Sequence, residues 1–156
     1  MIKVGGYIRI SDIGQMGDGR DGREGVARQR DDVYDLARER RVDVHHVYED
    51  NDTSAYKRRV KREGFEAMIL DLQNDAISGI LAYNIDRVAR QPGDLERLID
   101  IYEQARRPMV FGTTAGDYDL TTGDGRFQAR IYVTIANKFS ADAARRVARQ
   151  KLRAVP

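Results

Sequence analysis

The chain contains no cysteine, which excludes disulfides, thiolate zinc sites and cysteine nucleophiles. It has no apolar run near the ~20 residues that a membrane-spanning helix needs. It has only two histidines, His45 and His46. Being adjacent, they point to opposite faces of a strand and do not converge on one metal. Acids are scarce at the carboxyl end: from Arg126 to Pro156 there are eight Lys/Arg and one acid, Asp142. Glycine and proline are both missing between Arg126 and Leu152. The opening Met1–Ile10 is too short for a signal peptide and passes directly into polar residues. These absences lead us to expect a cytoplasmic protein with no membrane partner.

What is present suits a single domain. The 156 residues, 33% charged and 41% hydrophobic, can bury one core. Net charge is only +2, but it is unevenly spread. The last 31 residues carry +7, which leaves −5 for the first 125. A second basic cluster, Lys57-Arg58-Arg59-Val60-Lys61-Arg62, puts five bases in six residues. Such asymmetry suits particular surfaces meeting a polyanion. A solvated helix face and a solvated loop explain the same runs more plainly.

The hydrophobic pattern alternates between strand and helix. Ile2–Ile10 reads as a first strand and the glycine-rich, charged Asp12–Glu24 as a loop. Val26–Arg40 has helical spacing, Val42–Tyr48 is a second strand, and Glu49–Arg62 is a polar, then basic loop. Phe65–Leu72 is a helix and Ser78–Tyr83 a short buried strand. Pro92–Ala105 is a helix with Leu95, Leu98, Ile99 and Tyr102 on one face. Pro108–Gly112 is a fourth strand, and Thr113–Gly125 a loop. This order predicts an α/β sheet with a largely parallel core and ligand groups at the carboxyl ends of its strands.

Arg126–Leu152 reads as one helix of ~27 residues, ~40 Å long. Phe127, Ile131, Ile135 and Phe139 form an i+4 ladder, which is expected to pack on the sheet. The basic second half has no apolar face, so it is expected to project toward another subunit or DNA. A frayed tail is the plainer alternative.

Two strings could carry chemistry. Alternation puts Tyr7, Arg9 and Ser11 on one face at the end of the first strand. An arginine in an apolar strand needs an anionic partner. Singly, Arg9 reads as a structural ion pair and Ser11 as a backbone-bonding loop residue. After the third strand comes Asp86-Arg87-Val88-Ala89-Arg90. One helical turn would align Arg87 and Arg90 as a phosphate clamp oriented by Asp86. Asp86 as a helix cap with solvated arginines is the plainer reading.

Together the strings Tyr7-Ile8-Arg9-Ile10-Ser11, Gly25-Val26-Ala27-Arg28-Gln29-Arg30, Asp50-Asn51-Asp52-Thr53-Ser54-Ala55, Arg59 to Phe65, Asp86-Arg87-Val88-Ala89-Arg90 and Ala115-Gly116-Asp117-Tyr118-Asp119-Leu120, leading into Gly125-Arg126, resemble the catalytic domain of serine recombinases. Among these, the chain looks most like the large serine integrases of phages and mobile elements of actinobacteria. The resemblance implies a three-layer, resolvase-like α/β domain with a mostly parallel central sheet and a long projecting carboxyl-terminal helix. Residues 1–125 would be the catalytic core and 126–156 the helix for oligomerisation and DNA contact. Further DNA-reading domains would lie beyond this chain.

The implied chemistry is site-specific DNA recombination. Ser11 attacks a phosphodiester, forms a 5′-phosphoserine bond, and strands are exchanged and rejoined. No metal and no nucleotide cofactor is implied. Phosphoryl transfer needs in-line positioning and neutralised oxygens, and guanidiniums of Arg9, Arg87, Arg90 and Arg62 would supply the charge. Asp86 would stand in the proton path, and Gln29 and Ser54 would line the site. A homodimer would assemble to a tetramer on DNA in the nucleoid. Arg145, Arg146, Arg149, Lys151 and Arg153 would meet the DNA backbone. One departure stands out: Phe139 lies where relatives usually have a glutamate that helps inter-subunit contacts. Two other readings stay open. One is a non-catalytic DNA-binding or assembly module on the same fold. The other is a flavodoxin-like phosphate-binding enzyme, disfavoured by the scattered glycines and late helix after the first strand.

Overall fold

The computed structural model describes residues 1–11, 19–52, 62–116 and 118–153. The elements run β1 (Lys3–Ser11), α1 (Gly19–Arg40), β2 (Asp43–Asp52), α2 (Glu63–Gln73), β3 (Gly79–Ala82), α3 (Ile85–Val88), α4 (Pro92–Gln104), β4 (Val110–Thr113) and α5 (Gly123–Arg153). The four described strands form one sheet in the order β2-β1-β3-β4, and every pairing is parallel. The chain leaves β1 toward one edge and later returns on its other side at β3. The order therefore reverses between β1 and β3, the place where parallel sheets open a crevice for ligands.

Three layers result. On one face α1 sets Val33, Leu36 and Ala37 against Val4 of β1 and Leu81 of β3. On the other, α2, α4 and the start of α5 cover Tyr7, Tyr48, Ile80 and Phe111. The glycine pair in β1 permits this close double packing. A Cβ on Gly5 would lie 2.6 Å from the Tyr48 ring, and one on Gly6 would lie 2.6 Å from a Val33 methyl. Among the described residues no helix is long and apolar enough to cross a membrane.

The α/β class, the parallel sheet and the long final helix are as expected, and several boundaries are not. Gly19–Glu24, expected within a loop, form the first turns of α1. Glycine costs about 1 kcal/mol per helical site, but Val33, Leu36 and Ala37 anchor the same helix in the core, and extending an existing helix costs less than starting one. Glu49–Asp52, also expected in a loop, continue β2 alongside Ile8–Ser11. Their polarity reflects a strand end facing the site instead of the core. A register shift at Val4/Gly5 makes His45 the extra residue of a bulge. Simple alternation is lost there, and both histidines are exposed.

The largest correction concerns α5. The ladder does not pack on the sheet: Phe127, Ile131, Ile135 and Phe139 are 62%, 46%, 50% and 71% exposed. The buried side is Gly125, Ala129 and Val133, with Tyr132 partly covered. Residues two apart on a helix differ by ~200°, so the ladder faces away from the core. Small residues let α5 approach α3 and α4 closely, which the larger ones would prevent. At Gly125 an added Cβ would lie 1.9 Å from the Asp119 carbonyl oxygen.

Candidate active site

The site residues gather at the carboxyl ends of β1, β2 and β3, and Asp50 organises the first part. It is 9% exposed near the end of β2. Its Oδ1 accepts from the Gly64 amide at 2.7 Å and its Oδ2 from the Phe65 amide at 2.8 Å. A carboxylate fourteen residues upstream thus caps α2, whose own N-cap residue, Arg62, makes no side-chain cap bond. Gly64 is needed for this docking, because a Cβ there would sit 2.6 Å from the Glu49 carbonyl oxygen.

Relieved of capping, Arg62 reaches across the site. Its Nη2 donates to the Tyr7 hydroxyl at 2.8 Å and to the Val88 carbonyl at 2.7 Å. Its Nη1 donates to Asp94 Oδ2 at 3.1 Å, and its Nε lies 4.0 Å from Asp50 Oδ2. The guanidinium also lies 4.3 Å from the Phe65 ring centroid. Tyr7 in turn donates to Asp50 Oδ2 at 2.5 Å. Burial pushes the Tyr7 hydroxyl well above its ordinary range, Arg62 partly offsets this, and Asp50 adds to the rise. Arg62, expected among the phosphate-facing guanidiniums, is here committed to protein partners with its side chain 14% exposed.

Arg9 is half-buried two residues before the end of β1. Pairing of β1 with β3 stops at Tyr7–Ala82. Beyond it the Gln29 carboxamide takes both main-chain groups of Arg9, accepting from N–H and donating to C=O at 3.4 Å each. Ser11 closes β1 opposite Asp52, and its side chain lies outside the described residues. So do Ser54, all of the basic cluster before Arg62, and residues 12–18.

After β3, Asn84 and not Asp86 caps the next helix, its Oδ1 accepting from the Ile85 amide at 2.8 Å. That helix, α3, has only four residues and ends at Val88, with Ala89 extended at φ −108° and ψ 107°. Arg87 and Arg90 are therefore not aligned by one helical turn, contrary to expectation. Gln91 is extended as well, as a residue preceding a proline prefers, and this fixes the break. Arg87 is half-buried and Arg90 exposed. Asp86 receives a long hydrogen bond, 3.5 Å, from the Tyr132 hydroxyl, to which Asn84 Nδ2 donates at 3.0 Å. Burial, then Asp86, raises the Tyr132 hydroxyl's affinity for its proton. The long helix thereby touches the segment that carries Arg87 and Arg90.

The described residues thus bring Arg9 together with Gln29, and Arg62 with the carbonyl between Arg87 and Arg90. Asp94, Asn84 and Tyr132 were not anticipated. Asp94 had a readable signal, an acid three residues after Gln91 at the start of a helix. Asn84 had one too, an asparagine at the N-cap of α3, whereas Tyr132 is set by tertiary packing. No group of three or more His, Asp or Glu among the described residues gathers into a cation site. The five basic residues Arg145, Arg146, Arg149, Lys151 and Arg153 are all exposed along the end of α5. That helix has 31 residues, about 46 Å at 1.5 Å per residue.

Comparison with known proteins agrees with this architecture. The N-terminal catalytic domain of TP901-1 integrase is similar at 22% identity and TM-score 0.60, over 90% of this chain and 98% of that one. A resolvase family site-specific recombinase from Streptococcus pneumoniae is similar at 20% identity and TM-score 0.64, over 98% and 99%. The C-terminal catalytic domain of ISC1926 TnpA, an IS607-like serine recombinase, is similar at 18% identity and TM-score 0.55, over 86% and 80%. No curated protein matches the chain. The family model described as "Resolvase, N terminal domain" matches residues 4–155, and the chain belongs to that family.

Proposed function

We propose that the chain is the catalytic domain of a serine-type site-specific DNA recombinase, in which Ser11 attacks a DNA phosphodiester. The Ser11 Oγ–phosphorus bond forms as the bond to the 3′ oxygen breaks, leaving a 5′-phosphoserine and a 3′-hydroxyl. Religation reverses the step on an exchanged strand. The observation that supports the reading is a chain of this family whose β1 carries Arg9 and ends at Ser11, with the Asp86–Arg90 string following the carboxyl end of the parallel strand β3. Guanidiniums there can neutralise the equatorial oxygens of the transferring phosphoryl group. Arg62 serves the same site, Asp86 stands in the proton path, and Gln29 and Ser54 line it.

The exposed ladder on α5 supports a homodimer that assembles to a tetramer on DNA. Phe139 extends that apolar face at the position where relatives usually have glutamate. The basic end of α5 supports contact with the DNA backbone, which positions the enzyme but carries no base information. We place the chain with the large serine integrases of actinobacterial phages and mobile elements, on the six strings and their order, and expect it to act in the nucleoid.

The test is single-turnover cleavage of DNA spanning the genomic junctions around the gene, beside binding to the same DNA. Alanine at Arg9, Arg87 or Arg90 should cost cleavage far more than affinity, since one preorganised donor is worth roughly 3–4 kcal/mol to a transition state. Equal losses in both would reduce these residues to ordinary phosphate contacts.

A further inference from the structure

We propose that Asp94 is a positioning residue for Arg87 and Arg90, acting through Arg62 and through the main chain; the inference rests on the recombinase reading above. One carboxylate oxygen, Asp94 Oδ2, accepts three hydrogen bonds. They come from the Arg90 amide at 3.1 Å, the Gln91 amide at 3.3 Å and Arg62 Nη1 at 3.1 Å. Arg62 Nη2 then holds the Val88 carbonyl at 2.7 Å. The five residues from Arg87 to Gln91 are thus gripped at Val88, Arg90 and Gln91 by two side chains that are themselves paired.

The grip is needed because this segment has little regular structure of its own. The α3 helix ends at Val88, Ala89 is extended, and α4 starts only at Pro92. Nothing in local helical geometry fixes the angle between Arg87 and Arg90. The Arg62–Asp94 pair does so, with Arg62 anchored in turn by Tyr7, which also bonds Asp50. The pair is well placed for a firm hold, since its side chains are 14% and 25% exposed and solvent screens such a pair less than one at the surface. Asp94 also closes the capping box with Gln91 at the start of α4. Capping alone would ask for any acceptor at this position. The charge is required by Arg62.

The experiment exploits that difference. Asp94→Asn keeps an oxygen acceptor for the two amides and removes the charge facing Arg62. Single-turnover formation of the covalent protein–DNA adduct is measured for Asp94→Asn, Arg90→Ala, the double variant and the unaltered full chain, on the same junction DNA. Asp94→Asn should slow cleavage by about a hundredfold, the scale of an ångström-sized misplacement at a reacting centre. DNA affinity should change less than threefold. The double variant should fall well short of the product of the two single losses, because part of the effect of Asp94 runs through Arg90. A purely structural role predicts multiplied losses and a fall in melting temperature that parallels the loss of rate; either result overturns the proposal. If Asp94→Asn does not fold, Arg62→Lys probes the same clamp from its other side against the same predictions. If the unaltered chain forms no adduct, the recombinase reading fails, and this inference with it; if Arg90→Ala cleaves at the normal rate, Arg90 is not a group that Asp94 positions for cleavage and the inference alone is overturned. If Arg90→Ala is inactive while Asp94→Asn is not slowed, only the role of Asp94 is overturned.

Discussion

Gln29 of α1 stands in for a strand beside Arg9 of β1. Its carboxamide accepts from the Arg9 N–H and donates to the Arg9 carbonyl, each at 3.4 Å, just past the last β1–β3 pair at Tyr7–Ala82. One side chain from the opposite layer thus prolongs the ladder to within two residues of Ser11. Gln29→Leu should destabilise the domain by about 1 kcal/mol, a typical value for lost hydrogen bonds. It should also loosen the end of β1. Amide exchange at Arg9 is the measurement, and faster exchange at Arg9 with unchanged exchange at Val4 is the expected result.

The Tyr7 hydroxyl bridges Asp50 and Arg62, so Tyr7→Phe should cost about 2 kcal/mol, the range for hydrogen bonds to charged groups. The pH dependence follows from the raised proton affinities. Tyr7, Tyr48 and Tyr102 are all held above the ordinary tyrosine range, in each case chiefly by burial. A group whose folded-state pKa is raised contributes stability that is complete below its unfolded value and is lost as pH rises toward the folded one. Stability should therefore fall above about pH 10, the ordinary tyrosine value. Denaturant titrations should show a shallower alkaline fall in Tyr7→Phe, with a remainder due to Tyr48 and Tyr102.

The class, the parallel order, the apolar face of α4 and the basic end of α5 are legible in the sequence, because hydrophobic periodicity and charge report them directly. The inward face of α5 is not. Two i+4 series run along that helix, and size suggests the Phe127–Phe139 series is buried, whereas close helix packing selects Gly125, Ala129 and Val133. Of the candidate site, the motifs point to Arg9 and Gln29, which the structure brings into contact. Asp50 capping a helix fourteen residues on, or Tyr132 reaching Asp86, depends on where the elements dock, which no local spacing reveals.

The exposed ladder gives a direct prediction. Ile131→Glu with Ile135→Glu should leave the melting temperature within a few degrees of the original, as the two residues are 46% and 50% exposed. The pair should abolish self-association in sedimentation. A large loss of thermal stability without a change in association would mean that the ladder serves the fold.

Neutralising Arg145, Arg146, Arg149, Lys151 and Arg153 together should weaken DNA binding and flatten its salt dependence, by up to about 0.9 log units of slope per lost phosphate contact. The fold should be unaffected, since all five are exposed. An unchanged slope would mean that the end of α5 never meets phosphate.

The most direct measurement is a denaturing gel of the full chain incubated with DNA spanning the genomic junctions around its gene, for the unaltered protein and for Ser11→Ala. We expect a covalent protein–DNA adduct from the first and none from the second, with equal folding by circular dichroism. An adduct that persists in Ser11→Ala would remove Ser11 as the nucleophile and contradict the serine mechanism.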